Sequence, residues 1–345
     1  MKILLTGGAG FIGSHTAVAL IENGFEPVIV DDFRNSEPLV IKNIEKIVGK
    51  KITCYASNIG NKEEVIDIIQ KEKPIGVIHF AADKAVNESV LNPMKYYQNN
   101  VLNLINFLEV IENTKINSFV FSSSCTVYGM PDKIPVKETA LIKPAFSPYG
   151  YTKQVGEKIL TDFFKTKPNS SLTLLRYFNP IGAHPSALIG ELPIGIPSNL
   201  VPYITQTGIG KRKKLTVFGK DYDTDDGTCV RDYIHVVDLA NAHVASLKKG
   251  LNSNKSIKTY NVGTGKGVSV LEVIGAFEKV SNQNLNYEFG PRRAGDVPKI
   301  YSDNELIKNE LKWHAKFSLE DCLEHSWKWE KNLVNFKYKS EKKQD

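Results

Sequence analysis

The first twenty-two residues constrain this chain more than any other stretch. An apolar run, Lys2–Thr6, gives way to Gly7-Gly8-Ala9-Gly10-Phe11-Ile12-Gly13, and a helical pattern continues from Ile12 to Glu22. Gly7, Gly10 and Gly13 are spaced G-x-x-G-x-x-G. A strand that turns this tightly into a helix needs glycine wherever a side chain would block closure. The turn also brings backbone N–H groups and the positive end of a helix dipole to one point. That point suits an anion such as a pyrophosphate, and the strand–turn–helix context is what gives a glycine pattern meaning. A second β-rich run, Pro27–Asp31, ends in an acid about twenty residues after the last glycine, where a carboxylate hydrogen-bonds an adenosine ribose. That carboxylate would repel a 2′-phosphate, which favours NAD over NADP; Arg34 is a counter-signal.

The alternation continues down the chain. Candidate strands lie at Ile52–Ala56, Gly76–Ala81, Ser118–Ser122 and Leu172–Arg176, separated by helical patterns at Lys62–Glu72, Pro93–Ile111 and Tyr149–Phe164. Strands separated by helices of this length form βαβ units, hence a parallel sheet with right-handed crossovers. The runs VIHFAA and FVFSS show no polar alternation, as in central strands covered on both faces. Past Arg176 the texture changes. Residues 179–202 are rich in Pro and Gly and read as loop. Beyond them lie a strand at Leu215–Phe218, a helix at Val236–Lys248 and a strand at Thr259–Val262, followed by helices near Val270–Lys279, Asn304–Leu311 and Leu319–Asn332. The fold class is α/β: a Rossmann-type doubly wound parallel sheet over 1–178, with later segments such as 233–262 packing back onto it. A smaller C-terminal α/β lobe over 179–335 would carry the substrate and lie over the carboxyl ends of the sheet. The basic stretch 336–345 reads as a disordered tail.

Composition narrows the function classes. The 345 residues are 41% hydrophobic and 24% charged, which is that of an ordinary soluble globular protein. The net charge of +6 is modest, and clusters such as Lys211-Arg212-Lys213-Lys214 read as solvated faces, not as a nucleic-acid surface. Cys54, Cys125, Cys229 and Cys322 are far apart without a C-x-x-C pair, which suggests neither zinc nor disulfides and fits a reduced, cytoplasmic compartment. His79, His184, His235 and His243 lack metal-ligand spacing and read as core or supporting residues, so no metal is expected. Glycines break the apolar N-terminus, no small-residue cleavage site follows, and no run approaches the length of a membrane span.

The chemistry is carried by Tyr149 and Lys153, in S-P-Y-G-Y-T-K, together with Ser122-Ser123-Ser124 upstream. On a helix, residues i and i+4 share a face, so the ammonium can lie beside the phenol. A free tyrosine titrates near ~10 and is a poor base at neutral pH. An adjacent cation favours the phenolate, and a serine hydroxyl could bind the same substrate oxygen. The three residues would make a proton-transfer site for an alcohol.

The glycine turn, Ser124 and Tyr149-x-x-x-Lys153 together resemble the extended short-chain dehydrogenase/reductase family and, within it, the UDP-glucose/UDP-galactose 4-epimerases. The resemblance runs from Met1 to Asn332 and is carried by TGGAGFIGSHT, HFAADKAVNESV, FSSSCTVYG, SPYGYTK, LRYFNPIGAH, DGTCVRDYIHVVDLA and PRRAGDVP. It implies reversible, NAD-dependent inversion at C4 of a UDP-hexose through a 4-ketosugar, as in galactose metabolism, with tightly bound NAD regenerated each turnover. Ser124, Tyr149 and Lys153 would be catalytic. Gly7, Gly10, Phe11, Ile12, Gly13, Asp31, Asn35, Asn58 and Ile59 would meet the cofactor, as would Phe80, Ala81, Lys84, Asn99, Ser122, Tyr149, Lys153 and Tyr177. Lys84, Ser124, Tyr149, Phe178, Asn179, Asn199 and Leu200 would meet the UDP-sugar, with Thr216, Phe218, Arg231, Arg293, Asp296 and Ile300. Two arginines suit a diphosphate through forked, charge-assisted hydrogen bonds. Outside this motif Arg231, followed directly by Asp232, would read as a surface ion pair. The helices Pro93–Ile111 and Tyr149–Phe164 would form the four-helix contact of a homodimer.

Three positions depart from the family pattern. Asn58 stands where an aspartate is usual near the adenine, and Cys125 replaces an alanine as a small packing residue. Ile300 occupies the position that gates the sugar's 2-substituent, where its intermediate size leaves UDP-N-acetylglucosamine and UDP-pentoses open as substrates. A sugar-nucleotide 4,6-dehydratase on the same fold would need an Asp-Glu pair where this chain has Cys125 and Thr126. A non-catalytic NAD-binding protein is disfavoured by the intact Ser124, Tyr149 and Lys153.

Overall fold

The structure, a computed structural model, describes residues 1–293 and 295–341, with side chains to 333. Seven strands form the central sheet, in the spatial order Ser256–Val262, Ser171–Tyr177, Ser118–Ser124, Gly76–His79, Lys2–Thr6, Glu26–Asp31 and Thr53–Ala56. Every neighbouring pair is parallel. The chain order proceeds outward in both directions from Lys2–Thr6, whose Leu5 lies opposite Ile29 on one side and Ile78 on the other. The crevice at the carboxyl end of that strand is the switch point at which open α/β sheets bind ligands.

Strand alternation decides which helices cover which face. Ile3 and Leu5 pack with the helices Phe11–Glu22 and Val236–Leu251. Leu4, between them, points the other way, into the helices Lys62–Glu72, Asn103–Ile111 and Pro148–Lys165. All three are fully buried, each contributing roughly 1.5–3 kcal/mol, so packing on both faces anchors the sheet under the site. Val236–Leu251 packs on Phe11–Glu22, and Ser256–Val262 is an edge strand of the main sheet.

A further core gathers Val201, Ile204, Val217, Phe277, Leu323 and Trp327. They come from the helices Leu200–Gly208, Val270–Ser281 and Leu319–Glu341 and from the strand Leu215–Phe218, which pairs with Tyr287–Gly290. Asp238 ties this part to the sheet. Its carboxylate accepts from the backbone N–H groups of Lys316 and Phe317 at 2.8 and 3.0 Å. No helix among the described residues is long and apolar enough to cross a membrane.

The structure departs from the sequence reading at several places. The single helix expected over Pro93–Ile111 is a helix Pro93–Tyr97, a π-helical turn Gln98–Leu102 and a helix Asn103–Ile111. The side-chain amide of Asn99 donates to Asn100, and that of Asn103 to Asn99 and Asn58, which favours a widened turn over a regular one. The end of the stretch read as loop starts the helix Leu200–Gly208. Pro202 falls in its first turn, where the missing N–H would have had no intrahelical acceptor. The helices Leu39–Val48 and Val86–Leu91 were also not anticipated. The last helix runs to Glu341, because Lys337–Glu341 contains no helix breaker. The rest of the basic tail, 342–345, lies outside the described residues.

Candidate active site

The glycine turn is built as its spacing requires. Gly7 has φ +68°, and a Cβ there would fall 2.7 Å from the backbone nitrogen of Ala81. At Gly13 a Cβ would lie 2.4 Å from the Gly7 carbonyl oxygen. Gly10 precedes the helix Phe11–Glu22 and offers no side-chain cap, so the first-turn N–H groups have no intrahelical acceptor and face the crevice. This cradle, closed to any larger residue, fits a dinucleotide pyrophosphate.

Asp31 ends the neighbouring strand. Its carboxylate accepts from the Ala9 N–H at 2.9 Å, the Phe33 N–H at 3.0 Å and the Ser36 hydroxyl at 2.8 Å, which braces the glycine turn. Acceptor capacity remains for a ribose hydroxyl. Arg34 is not a free cation: its guanidinium lies 3.5 Å from Asp32 and 3.4 Å from Asp83, so it is already shared between two carboxylates. Asn58 donates to Asp32 at 2.9 Å and accepts from Gly60 N–H at 2.8 Å and from Asn103 at 3.2 Å. Asn103 in turn donates to Asn99 at 3.2 Å.

The glycine turn, Asp31, Arg34 and Asn58 open onto one cleft of about 700 Å³. Every residue expected at the cofactor lines it: Gly7, Gly10, Phe11, Ile12, Gly13, Asp31, Asn35, Asn58, Ile59, Phe80, Ala81, Lys84, Asn99, Ser122, Tyr149, Lys153 and Tyr177. Sequence reasoning missed Asp83 and Glu191, which also line it.

The proton-transfer residues sit on a helix with a well-defined start. Ser147 accepts from Gly150 N–H at 3.2 Å, and Pro148 takes the first helical position. Tyr149 and Lys153 are consequently fixed on the buried face. The Lys153 ammonium donates to the Ser122 carbonyl at 2.7 Å and lies 5.9 Å from the centre of the Tyr149 ring. Tyr177 and Ser122 share a hydrogen bond of 2.7 Å, and Ser124 accepts from Thr126 N–H at 3.2 Å.

The electrostatics correct one expectation. Burial drives the Tyr149 phenol well above its ordinary range; Tyr177 adds to this, and a hydrogen bond with Ser124 opposes it. Burial also pushes the Lys153 ammonium down to about 8, against the pull of Glu157. The lysine therefore does not bring the phenol toward neutrality here: desolvation of the phenolate dominates. A phenolate here needs further positive charge in the cleft. Beneath it, His79 pairs with Thr6 at 2.9 Å and is pushed to about 3, chiefly by burial, so it is neutral. Burial pushes the Cys125 thiol up to about 12, which fits a packing residue; neither it nor Thr126 can supply the carboxylate pair of a dehydratase.

The residues expected at the substrate are split. Lys84, Tyr149 and Asn199 line the cleft. Lys84 and Asn199 share one oxygen of Glu191, at 3.0 and 2.6 Å. Leu200 opens the helix Leu200–Gly208, Phe178 is buried, and Asn179 begins a short strand paired with Tyr233. Ser124 is buried beside the cleft. The others form a second cluster. Thr216 and Phe218 lie on Leu215–Phe218, and the Arg293 guanidinium stands 5.8 Å from the centre of the Phe218 ring. Arg293 grips Asp296 at 2.9 and 3.2 Å, and Arg231 lies 3.6 Å from the same carboxylate. Arg231 pairs in register with Ile300, which is buried with Val127, Tyr128, Val136 and Phe178. The surface pair Arg231–Asp232 does not form. Asp232 is fully buried and accepts from Thr264, Gly265 and Ser302 instead.

The chain matches, over residues 4–326, the family model described as GDP-mannose 4,6 dehydratase. It is 48% identical to the UDP-glucose 4-epimerase of Bacillus subtilis over 335 residues, which cover 97% of this chain and 98% of that protein. This chain belongs to the UDP-glucose 4-epimerases of the extended short-chain dehydrogenase/reductase family. The crystal structure of the family's Bifidobacterium longum member, in complex with NAD+ and UDP, superimposes with a TM-score of 0.94 at 41% identity, covering 97% of this chain and 99% of that one. A UDP-Glc/GlcNAc 4-epimerase from Campylobacter jejuni gives 0.83 at 38% identity, covering 96% and 99%.

Proposed function

We propose that this chain interconverts UDP-galactose and UDP-glucose by NAD-dependent inversion at C4. The observation that carries it is the convergence of Tyr149, Lys153 and Tyr177 on the cleft that also holds the glycine turn and Asp31. Bound NAD supplies a hydride acceptor that is restored each turnover, and its charged ring adds the positive charge that Tyr149 lacks. Gly7, Gly10 and Gly13 receive the pyrophosphate on backbone N–H groups, and Asp31 takes a ribose hydroxyl. Tyr149 holds and moves the proton of the sugar's O4, Ser124 hydrogen-bonds the same oxygen, and Lys153 steadies the negative charge. Arg231 and Arg293 clamp the diphosphate, and Asp296 takes a ribose hydroxyl; their mutual ion pairs keep them preorganised. The uridine end stays anchored while the 4-ketosugar turns its other face.

In this reading residues 1–178, with 233–262 packed on them, hold the dinucleotide, and 179–335 hold the UDP-sugar. Exposed Met94, Leu102, Ile105 and Tyr151 on the two expected interface helices support a homodimer. Four free cysteines favour a reducing cytoplasm. A second reading, UDP-N-acetylhexosamine as substrate, stays open at Ile300, which is smaller than an aromatic and buried with Phe178.

Purified protein incubated with UDP-galactose should yield UDP-glucose, and UDP-N-acetylgalactosamine turnover should fall in Ile300→Tyr. A chain that leaves UDP-galactose unchanged while retaining NAD contradicts the proposal.

A further inference from the structure

Glu157 lies two helical turns beyond Tyr149 and one beyond Lys153, on the same buried face of the helix Pro148–Lys165. One of its oxygens accepts from the Ser123 hydroxyl at 2.5 Å and from Arg176 Nε at 2.9 Å, and the other accepts from Arg176 Nη2 at 2.6 Å. Ser123 and Arg176 are direct partners in the sheet register, between the Ser122–Leu175 and Ser124–Tyr177 pairs. The carboxylate therefore bolts the helix to the two strands that carry Ser122, Ser124 and Tyr177. Arg176 is held in turn by Tyr128, whose hydroxyl lies 3.2 Å from Nη1 and donates to Asn261 at 2.7 Å.

We propose that Glu157, braced by Arg176, is a positioning residue for the proton-transfer pair: it sets the serine strand against the helix and balances the charge of Lys153. The inference rests on the epimerase reading for its catalytic consequence, but its electrostatic part does not. The groups facing Lys153 are Tyr149 and Glu157 on its own helix, His79 on the sheet, and the Phe121 ring with the Ser122 carbonyl. His79 is neutral, and among these groups Glu157 is the anion pulling the lysine up. The Glu157–Arg176 fork is a buried, forked ion pair, so removing the carboxylate alone strands a guanidinium. A neutral pair of similar shape, Glu157→Gln with Arg176→Met, removes both charges together.

The test is the Lys153 titration in the protein as purified, read by NMR of 13Cε-labelled lysine and assigned by loss of the signal in Lys153→Arg. The midpoint should fall in Glu157→Gln/Arg176→Met, where loss of the Arg176 charge offsets part of the effect, fall further in Glu157→Gln, and stay at the wild-type value in Glu157→Asp, which keeps the charge. The alkaline limb of kcat should move down with it, with KM for UDP-galactose unchanged. A folded double variant whose titration and alkaline limb superimpose on the wild type overturns the proposal. If the double variant does not fold, Ser123→Ala decides: kcat should drop about threefold at unchanged KM, a deficit of about 0.65 kcal/mol, and an unchanged kcat overturns the bolt. Wild-type protein that shows no interconversion contradicts the epimerase reading instead and leaves the NMR titration to judge Glu157.

Discussion

The two halves of the site are made of different materials. The dinucleotide side is mostly backbone: three glycines, a helix N-terminus and a strand-end aspartate, all within the first thirty-one residues. The proposed uridine side is side chains from three distant segments, Phe218, Arg231 and the pair Arg293 and Asp296, held together by two arginines on one carboxylate. A backbone site is as rigid as the sheet beneath it and is lost only by changing its shape. A side-chain site can lose one group and keep its fold. Substitutions should therefore separate cleanly into those that expel cofactor and those that weaken substrate.

Tyr149 is the proposed proton-transfer residue, and its loss should have the largest effect. Tyr149→Phe should cut kcat by about a thousandfold while both NAD content and UDP binding stay at wild-type values. Next comes Gly7→Ala, which places a methyl against Ala81 and forces a positive φ on alanine. Protein purified from that variant should lose its NAD and about 1–3 kcal/mol of stability, as measured by cofactor release and denaturant unfolding. Arg231→Met should act in the opposite sense. KM for UDP-galactose should rise roughly tenfold to a hundredfold, as expected when one charge-assisted hydrogen bond worth about 1.5–3 kcal/mol is lost, with NAD content unchanged. Loss of NAD from Arg231→Met would erase the distinction.

Acid stability comes last, as a modest step for each residue involved, and it belongs mainly to the dinucleotide side. Burial pushes His15 and His79 to about 3 and His243 to about 4. In the unfolded chain each titrates near ~6.5, so as pH falls through that value the unfolded state takes up protons that the folded state refuses. Stability should fall by about 1.4 kcal/mol per histidine between neutrality and pH 5.5. Urea unfolding across that range checks it; a pH-independent midpoint would count against neutral, buried histidines.

The same contrast explains what the sequence made legible. Gly7, Gly10, Gly13 and Asp31 act through local geometry, so their spacing already carries their placement. The parallel sheet followed from strand and helix lengths for the same reason. The π-helical turn at Gln98–Leu102 was not legible, because it depends on amides meeting Asp83 and Asn58 from elsewhere in the chain. Outside its motif Asp232 would look like a surface partner for Arg231, because adjacency in sequence says nothing of which way alternate strand residues point. Glu191 and Asp83 carry no spacing signal at all. Glu157 did carry one, at i+8 from Tyr149 on the same face, but its meaning depends on Arg176 in the next strand. Nor could the sequence show that burial would outweigh the lysine at Tyr149, since that depends on how much water the fold removes.

The central claim is that a hydride leaves C4 and returns to the same carbon without exchange with water. UDP-galactose deuterated at C4, incubated with the purified protein in ordinary water, tests it most directly. The account predicts UDP-glucose with deuterium fully retained at C4. UDP-glucose formed with that deuterium lost to solvent would contradict it.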